Sequence, residues 1–370
     1  MPRIDSGSGG SGGNTDGTDS TGNTDGRDSM DSRERVTAAV DHRQPDRTPA
    51  YCGRIDDLEF WKEAFRVPDE AALRAHFQLD FRKTTYKGLF NVEPGRTIWG
   101  TADEWDAGYN VRPGGFPLAA AETVREIEAW RWPRPEDVDY LELRRRQEGL
   151  DPRFASILSF GWQPVFCTLL DLFGMEQALV LMHTAPAVIE AAVAHIECFL
   201  LEEMRRALER CAPLVQFYWC GDDFSTQRGL MISPEAWRRF LKPSYRRMFE
   251  LVKSFDLKVW FHSCGTFRPV LPDLVDMGMD VWETVQVHLE GNDPHELKRE
   301  FGKQITFFGA ISCQHTLPFG TPEDVRAEVR ERVRVLGKGG GYICGPDHSI
   351  QKNMPPQNLA ALWDEARRLS

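Results

Sequence analysis

No apolar run in the 370-residue chain approaches the roughly 18–20 residues that a membrane-spanning helix needs, which argues against a membrane protein. Positive charge is also in short supply. The 45 Lys+Arg stand against 56 Asp+Glu, a formal net charge of −11, and this excludes a nucleic-acid binder held by bulk charge. There is no Walker phosphate loop and no CxxC pair. The strings GxGxxG and GxSxG occur only inside the amino-terminal GSGGSGG, where no strand or helix pattern flanks them, so they support neither a dinucleotide fold nor a nucleophile elbow. Gly337–Gly341 is glycine-rich but precedes a strand pattern instead of opening a helix, the wrong order for a phosphate cradle.

Apolar residues are scarce in residues 1–30, where Gly, Ser, Thr, Asn and Asp supply 24 of the 30. Such a segment cannot offset its ordering entropy, so a disordered tail is expected there, with one domain over 31–370. The tail has neither an apolar core region nor an Arg-rich amphipathic pattern and does not read as a secretory or transit peptide. Eight cysteines scattered through the chain point to reduced thiols and a cytoplasmic location. With 41% hydrophobic and 11% aromatic residues, the chain reads as a soluble globular protein with a large core.

Eight short apolar or β-branched runs bounded by turn residues are candidate strands: Thr48–Cys52, Gln78–Lys83, Ala155–Phe160, Leu214–Cys220, Leu257–His262, Met279–Val285, Ile305–Ile311 and Gly341–Cys344. Helical periodicity follows most of them, over Glu176–Cys211, Pro234–Phe255, Phe267–Met277, Pro294–Phe301, Pro322–Leu336 and Pro355–Leu369. Proline opens four of these six segments, where it has no N–H to satisfy. The alternation predicts an α/β fold, a (β/α)8 TIM barrel, with an open doubly wound sheet as the other possibility. Thr84–Leu150, rich in Gly and Pro and helical only around Ala119–Trp130, reads as an insertion after the second strand that shapes the barrel mouth.

In such a barrel, residues just past the carboxyl ends of the strands face one pocket. The strand ends supply Cys52, Asp222 and Asp223, His262 and Cys264, Gln286 and His288, Cys313 and His315, and Cys344, Asp347 and His348. His262 and Cys264, two apart in an extended segment, point to the same side. With the distant Cys344 they make two sulfurs and one nitrogen around an open position, a catalytic zinc pattern, with Cys313 as a competing sulfur. The alternative is a strand-capping histidine with two buried packing cysteines. Asp222 and Asp223 are candidate catalytic carboxylates, or else a helix cap. His348 is a candidate acid or partner of the metal site, and Gln286, His315 and Arg54 are candidate substrate contacts. The strand aromatics, Trp219 and Trp260 among them, are expected to be barrel packing.

The segments GDDFSTQRGLMISPEAWRRFLKPSYRRMFELVKS, LKVWFHSCGTFRPVLPDLVDMGMDVWETVQ and LGKGGGYICGPDHSIQKNMPPQNL resemble the uroporphyrinogen decarboxylase superfamily, and the resemblance runs from about Ser32 to the carboxyl terminus. That superfamily contains decarboxylases and zinc methyltransferases that move a methyl group from a methylated corrinoid to a thiol. The resemblance implies a (β/α)8 barrel and, for the methyltransferases, a His-x-Cys pair and a distant Cys as zinc ligands, matched by His262, Cys264 and Cys344. Their metal often takes a carboxylate near the end of the next strand, where this chain offers Gln286, with Glu283 nearby. The decarboxylases hold substrate carboxylates with an Arg-rich motif near the first strand, of which TPAYCGRIDD keeps only Arg54, while their histidine in the last strand-to-loop turn is matched by His348. The expectation is therefore a Zn²⁺-dependent methyltransferase that uses methylcobalamin or another corrinoid as co-substrate. Its partners would be a corrinoid protein and a small-molecule thiol. The alternatives are a metal-free carboxy-lyase acting on a tetrapyrrole, and a non-catalytic corrinoid- or tetrapyrrole-binding module.

Overall fold

The computed structural model describes residues 30–84, 88–101, 115–159, 162 and 164–369. Apart from Met30, the expected disordered tail over 1–30 lies outside the described residues. Seven parallel strands form one sheet: β1 (Phe81–Lys83), β2 (Ala155–Leu158), β3 (Phe217–Gly221), β6 (Lys258–His262), β7 (Met279–Val285), β8 (Thr306–Ile311) and β9 (Tyr342–Pro346). They lie in the order in which the chain makes them. A two-residue hairpin, β4 (Ser225–Thr226) and β5 (Gly229–Leu230), projects from the loop after β3.

The eighth expected strand, Thr48–Cys52, makes only a single parallel bridge, between Ala50 and Cys344. It nevertheless joins the two edges of the sheet. Tyr51 N donates to Cys344 O at 3.0 Å and Cys344 N to Pro49 O at 2.8 Å, while Asp80 N, beside β1, donates to Ala50 O at 2.9 Å. The sheet is thus curled until segment 49–51 bridges β9 and β1. The open doubly wound alternative, which leaves two free edges, does not fit this arrangement.

Alternation along the strands makes two apolar layers. Phe81, Ile157, Phe217, Trp219, Trp260, Val281, Phe308 and Ile343 pack inside the curl. Their neighbours Tyr218, Cys220, Phe261, Trp282, Phe307, Tyr342 and Cys344 join the larger cluster between sheet and helices.

The helices depart from the sequence expectation where proline intervenes or a helix is short. Glu176–Cys211 divides into Met175–Thr184 and Pro186–Cys211, because Pro186 lacks the N–H that a continuous helix needs. Pro234–Phe255 divides at Leu241, just ahead of Pro243. Phe166–Phe173 is a helix the sequence reading did not propose; it is only eight residues long and seven of them are buried. In the insertion, helices form at Val124–Ala129 and also at Tyr140–Glu148. Its described part covers the flank of Pro186–Cys211, with Trp99 5.1 Å from Phe199 and Trp132 stacked 4.8 Å from His195. Among the described residues of the insertion, only Thr84 reaches the cavity at the strand ends.

Asp80 holds the closure together. Its fully buried carboxylate accepts from Arg35 Nη1 at 2.7 Å, both Arg47 Nη groups, Ser32 Oγ and the Ala50 backbone N–H at 2.8 Å. Truncating one partner of such a network leaves the other charges buried and unpaired. Asp80→Ala should therefore lower the unfolding free energy by about 3–5 kcal/mol in denaturant titration. A loss below about 1 kcal/mol would contradict this role.

Candidate metal centre

Three potential metal ligands converge at the carboxyl ends of the strands: His262, Cys264 and His348. One donor atom from each lies within 4.8 Å of the others. His262 ends β6 opposite Gly221, whose missing side chain is required because a Cβ there would lie 2.7 Å from His262 Cβ. His262 Nε2 is 3.5 Å from Cys264 Sγ, as the two-residue spacing implies, and its ring centroid is 6.0 Å from that of His348.

Carboxylates fix the group from behind. Glu283 Oε1 lies 3.3 Å from His262 Nδ1, and Oε2 accepts from Trp219 Nε1 at 2.9 Å and from Trp260 Nε1. The imidazole is thereby turned so that Nε2 faces the cysteine. Asp223 Oδ1 accepts the Cys264 backbone N–H at 2.7 Å and lies 3.8 Å from His262 Nε2. Gln286 Oε1 accepts from Gly265 N at 2.8 Å, holding the turn that carries Cys264. Burial alone would raise the Cys264 thiol, but the His262 and His348 imidazoles outweigh it and hold the thiol below its ordinary value. Burial likewise opposes protonation of His262, yet the adjacent Cys264 and Glu283 raise its pKa well above the usual imidazole range.

Cys344 stands apart from this group. It is fully buried in the shell between sheet and helices, on the face opposite Ile343, and burial pushes its thiol up to about 12. The expected third ligand is therefore corrected: His348, four residues on, occupies the place assigned to Cys344. Cys313 does not compete either, because its Sγ lies against the carbonyl oxygens of His348 at 3.5 Å and Ser349 at 3.7 Å, and burial raises its pKa well above normal.

The acidic pair also separates. Asp223 lines the cavity, but Asp222 faces the outer shell and caps the helix Phe166–Phe173, accepting from Phe166 N at 2.5 Å and Cys167 N at 3.0 Å, and from Tyr245 Oη at 2.5 Å. A structural cap replaces its expected catalytic role. Of the expected substrate contacts, Arg54 lines the cavity, where it pairs with Asp56 at 2.7 Å. Gln286 is buried behind the turn, and exposed His315 packs 4.9 Å from His288, outside the cavity lining.

The cavity has a volume of about 430 Å³ and is walled by Tyr51, Trp162, Trp219 and Phe308, with Lys83 and Glu283 among its polar groups. Trp219 thus does more than pack. Lys83 was missed by the sequence reading, although it ends an expected strand and was accessible to the same strand-end rule; Glu283 was noted only as a carboxylate near Gln286, without its role behind His262.

The fold and the site together define an α/β protein whose chemistry sits at the carboxyl ends of a curled parallel sheet. The chain belongs to the uroporphyrinogen decarboxylase (URO-D) family, whose model matches residues 166–369. Among similar proteins, a methylcobamide:CoM methyltransferase of Methanosarcina barkeri is 28% identical over 132 residues, 36% of this chain and 36% of that protein. A methylated-thiol–coenzyme M methyltransferase of Methanosarcina mazei is 28% identical over 133 residues, 35% of this chain and 32% of its own length. The chain thus spans about a third of the length of these curated relatives. A uroporphyrinogen decarboxylase of Neisseria meningitidis is 32% identical over 75 residues, 20% of this chain and 21% of that protein. The fold matches that of a methyltransferase from Methanosarcina mazei with a TM-score of 0.68 at 19% identity, covering 92% of this chain and 99% of the other. No single helix among the described residues is long and apolar enough to cross a membrane.

Two outcomes follow from this geometry. Because the thiolate is the reactive form, iodoacetamide at neutral pH should label Cys264 in the metal-free native protein and leave Cys344 unlabelled until unfolding. Equal labelling of the two would contradict the assigned environments. Asp222→Ala should cost about 2 kcal/mol of stability through the lost cap and the orphaned Tyr245 hydroxyl, while iodoacetamide labelling of Cys264 stays unchanged. Loss of Cys264 labelling in the folded variant would contradict the cap assignment.

Proposed function

We propose that the chain is a zinc-dependent methyltransferase of this family, moving a methyl group from a methylated corrinoid on a partner protein to a small thiol. The observation that carries this reading is the convergence of His262, Cys264 and His348, of which His262 and His348 line the cavity. Two imidazole nitrogens and one thiolate sulfur suit Zn²⁺ and leave a position for an incoming ligand. The names of the Methanosarcina methyltransferases support the corrinoid donor and the thiol acceptor. When bound, zinc would keep an acceptor thiol deprotonated at neutral pH, the form that attacks a methyl–cobalt bond.

The chain's own residues supply the rest. Glu283 orients His262 through Nδ1, and Asp223 fixes the backbone under Cys264. Trp162, Trp219 and Phe308 exclude water from one side, and Arg54 remains a candidate substrate contact. A decarboxylase holding several substrate carboxylates would need several free cations here, and among the described residues of the cavity Lys83 alone is uncommitted. Arg74, however, is spent on Glu70, Cys52 Sγ and Gly53 O, and Arg54 pairs with Asp56. In the same reading, residues 31–370 form one (β/α)8 barrel with segment 49–51 as its eighth stave, Thr84–Leu150 is an insertion after the second strand, and the eight free cysteines suit a cytoplasmic enzyme.

Elemental analysis of protein purified under reducing, chelator-free conditions tests the site. One zinc per chain is expected in the wild type and in Cys344→Ala, with loss in Cys264→Ala and His348→Ala. Loss in Cys344→Ala with retention in His348→Ala would overturn the ligand set. A wild type that takes up no zinc would overturn the functional reading.

A further inference from the structure

The cavity has a second charged end that the metal chemistry does not use. Lys83 closes β1 and reaches into the cavity, with Nζ 4.1 Å from the centroid of the Trp219 ring. Among the described residues this ammonium makes no ion pair and no hydrogen bond; its contact is the aromatic face. Glu283 attracts it through space, but that carboxylate is already engaged by Trp219, Trp260 and His262. The other two basic side chains of the cavity are committed as well, Arg74 to Glu70, Cys52 and Gly53, and Arg54 to Asp56.

Lys83 is half-buried, and an ammonium partly withdrawn from water without an anionic partner is costly, a cation–π contact offsetting only part of that cost. A ligand anion supplies what is missing. Burial pulls the Lys83 pKa down to about 8, which still leaves the group mostly protonated at neutral pH and ready to receive one. The Trp219 ring that carries Lys83 on its face is also 5.8 Å, centroid to centroid, from the His262 imidazole. A molecule only a few bonds long therefore spans the distance from the ammonium to the metal-ligand group.

We propose that Lys83 is a specificity-determining residue, holding the carboxylate or sulfonate of a small anionic substrate whose other end reaches His262, Cys264 and His348. This rests on the methyl-transfer reading only in making that other end a thiol; the anion site stands on the cavity itself.

The test uses the full chain with Co²⁺ in place of zinc and two probes of equal size, 3-mercaptopropionate and 3-mercaptopropanol. Each is titrated through the increase in the sulfur-to-cobalt absorption band above that given by Cys264 alone. The acid should bind the wild type about tenfold or more tightly than the alcohol. Lys83→Met should abolish that preference and Lys83→Arg should retain it. Equal affinities in the wild type, or an undiminished preference in Lys83→Met, would overturn the proposal while leaving thiol binding at the metal intact. If neither thiol raises the band above its starting intensity, the methyl-transfer reading fails instead. In that case calorimetric binding of 3-mercaptopropionate to the wild type, lost in Lys83→Met, still supports the anion site, and its absence in the wild type overturns it.

Discussion

The constraint on which the rest depends is the alternation of side chains along strands that are curled into a closed circuit. Every second residue is forced inward, and the interior fills with Phe81, Phe217, Trp260, Val281, Phe308 and Ile343. Residues that share their parity near the carboxyl ends emerge in the cavity, Trp219 and Asp223 from β3 and its loop and His262 from β6, with Cys264 beside His262 in the loop that follows. Within the strands, residues of the opposite parity are committed to the shell under the helices, whereas His348, beyond the end of β9, escapes the alternation and faces the cavity. This one rule sends Asp222 to cap a helix and Cys344 to pack against apolar side chains, although both lie beside functional positions in the sequence.

Buried carboxylates do much of the positional work, each by accepting N–H or O–H groups that would otherwise be orphaned. Asp80 ties Arg35, Arg47 and the Ala50 backbone together where the sheet closes. Asp222 satisfies the first turn of Phe166–Phe173. Glu283 binds two indoles and turns His262, while Asp223 holds the turn bearing Cys264. The four acids sit at four junctions, so the same chemistry locks the fold and aims the site.

Much of this was legible in the sequence. All eight expected strand segments take part in the sheet, seven as strands and Thr48–Cys52 as a bridge, because their apolar runs are bounded by turns. The His262–Cys264 pair followed from a spacing of two. Cys344 did not fare as well: it lies within β9, two residues before that strand's end, where parity and not proximity decides its face. The choice between Cys344 and His348 depends on where β9 stops, and element ends are the least determinate feature of a sequence pattern. The helix Phe166–Phe173 was overlooked because eight mostly apolar residues are too short a run to tell a buried helix from a buried strand. Glu283 and Lys83 were obscured for another reason: their roles arise from the indoles they meet, contributed by strands far away in the chain.

The central claim is a metal group made of two imidazoles and a single thiolate. Zinc X-ray absorption on the loaded protein tests it most directly, since the extended fine structure counts sulfur and nitrogen scatterers separately. The account predicts one sulfur at about 2.3 Å and the remaining scatterers as nitrogen or oxygen at about 2.0–2.1 Å. Two sulfurs in the first coordination shell would contradict it and return a second cysteine to the site.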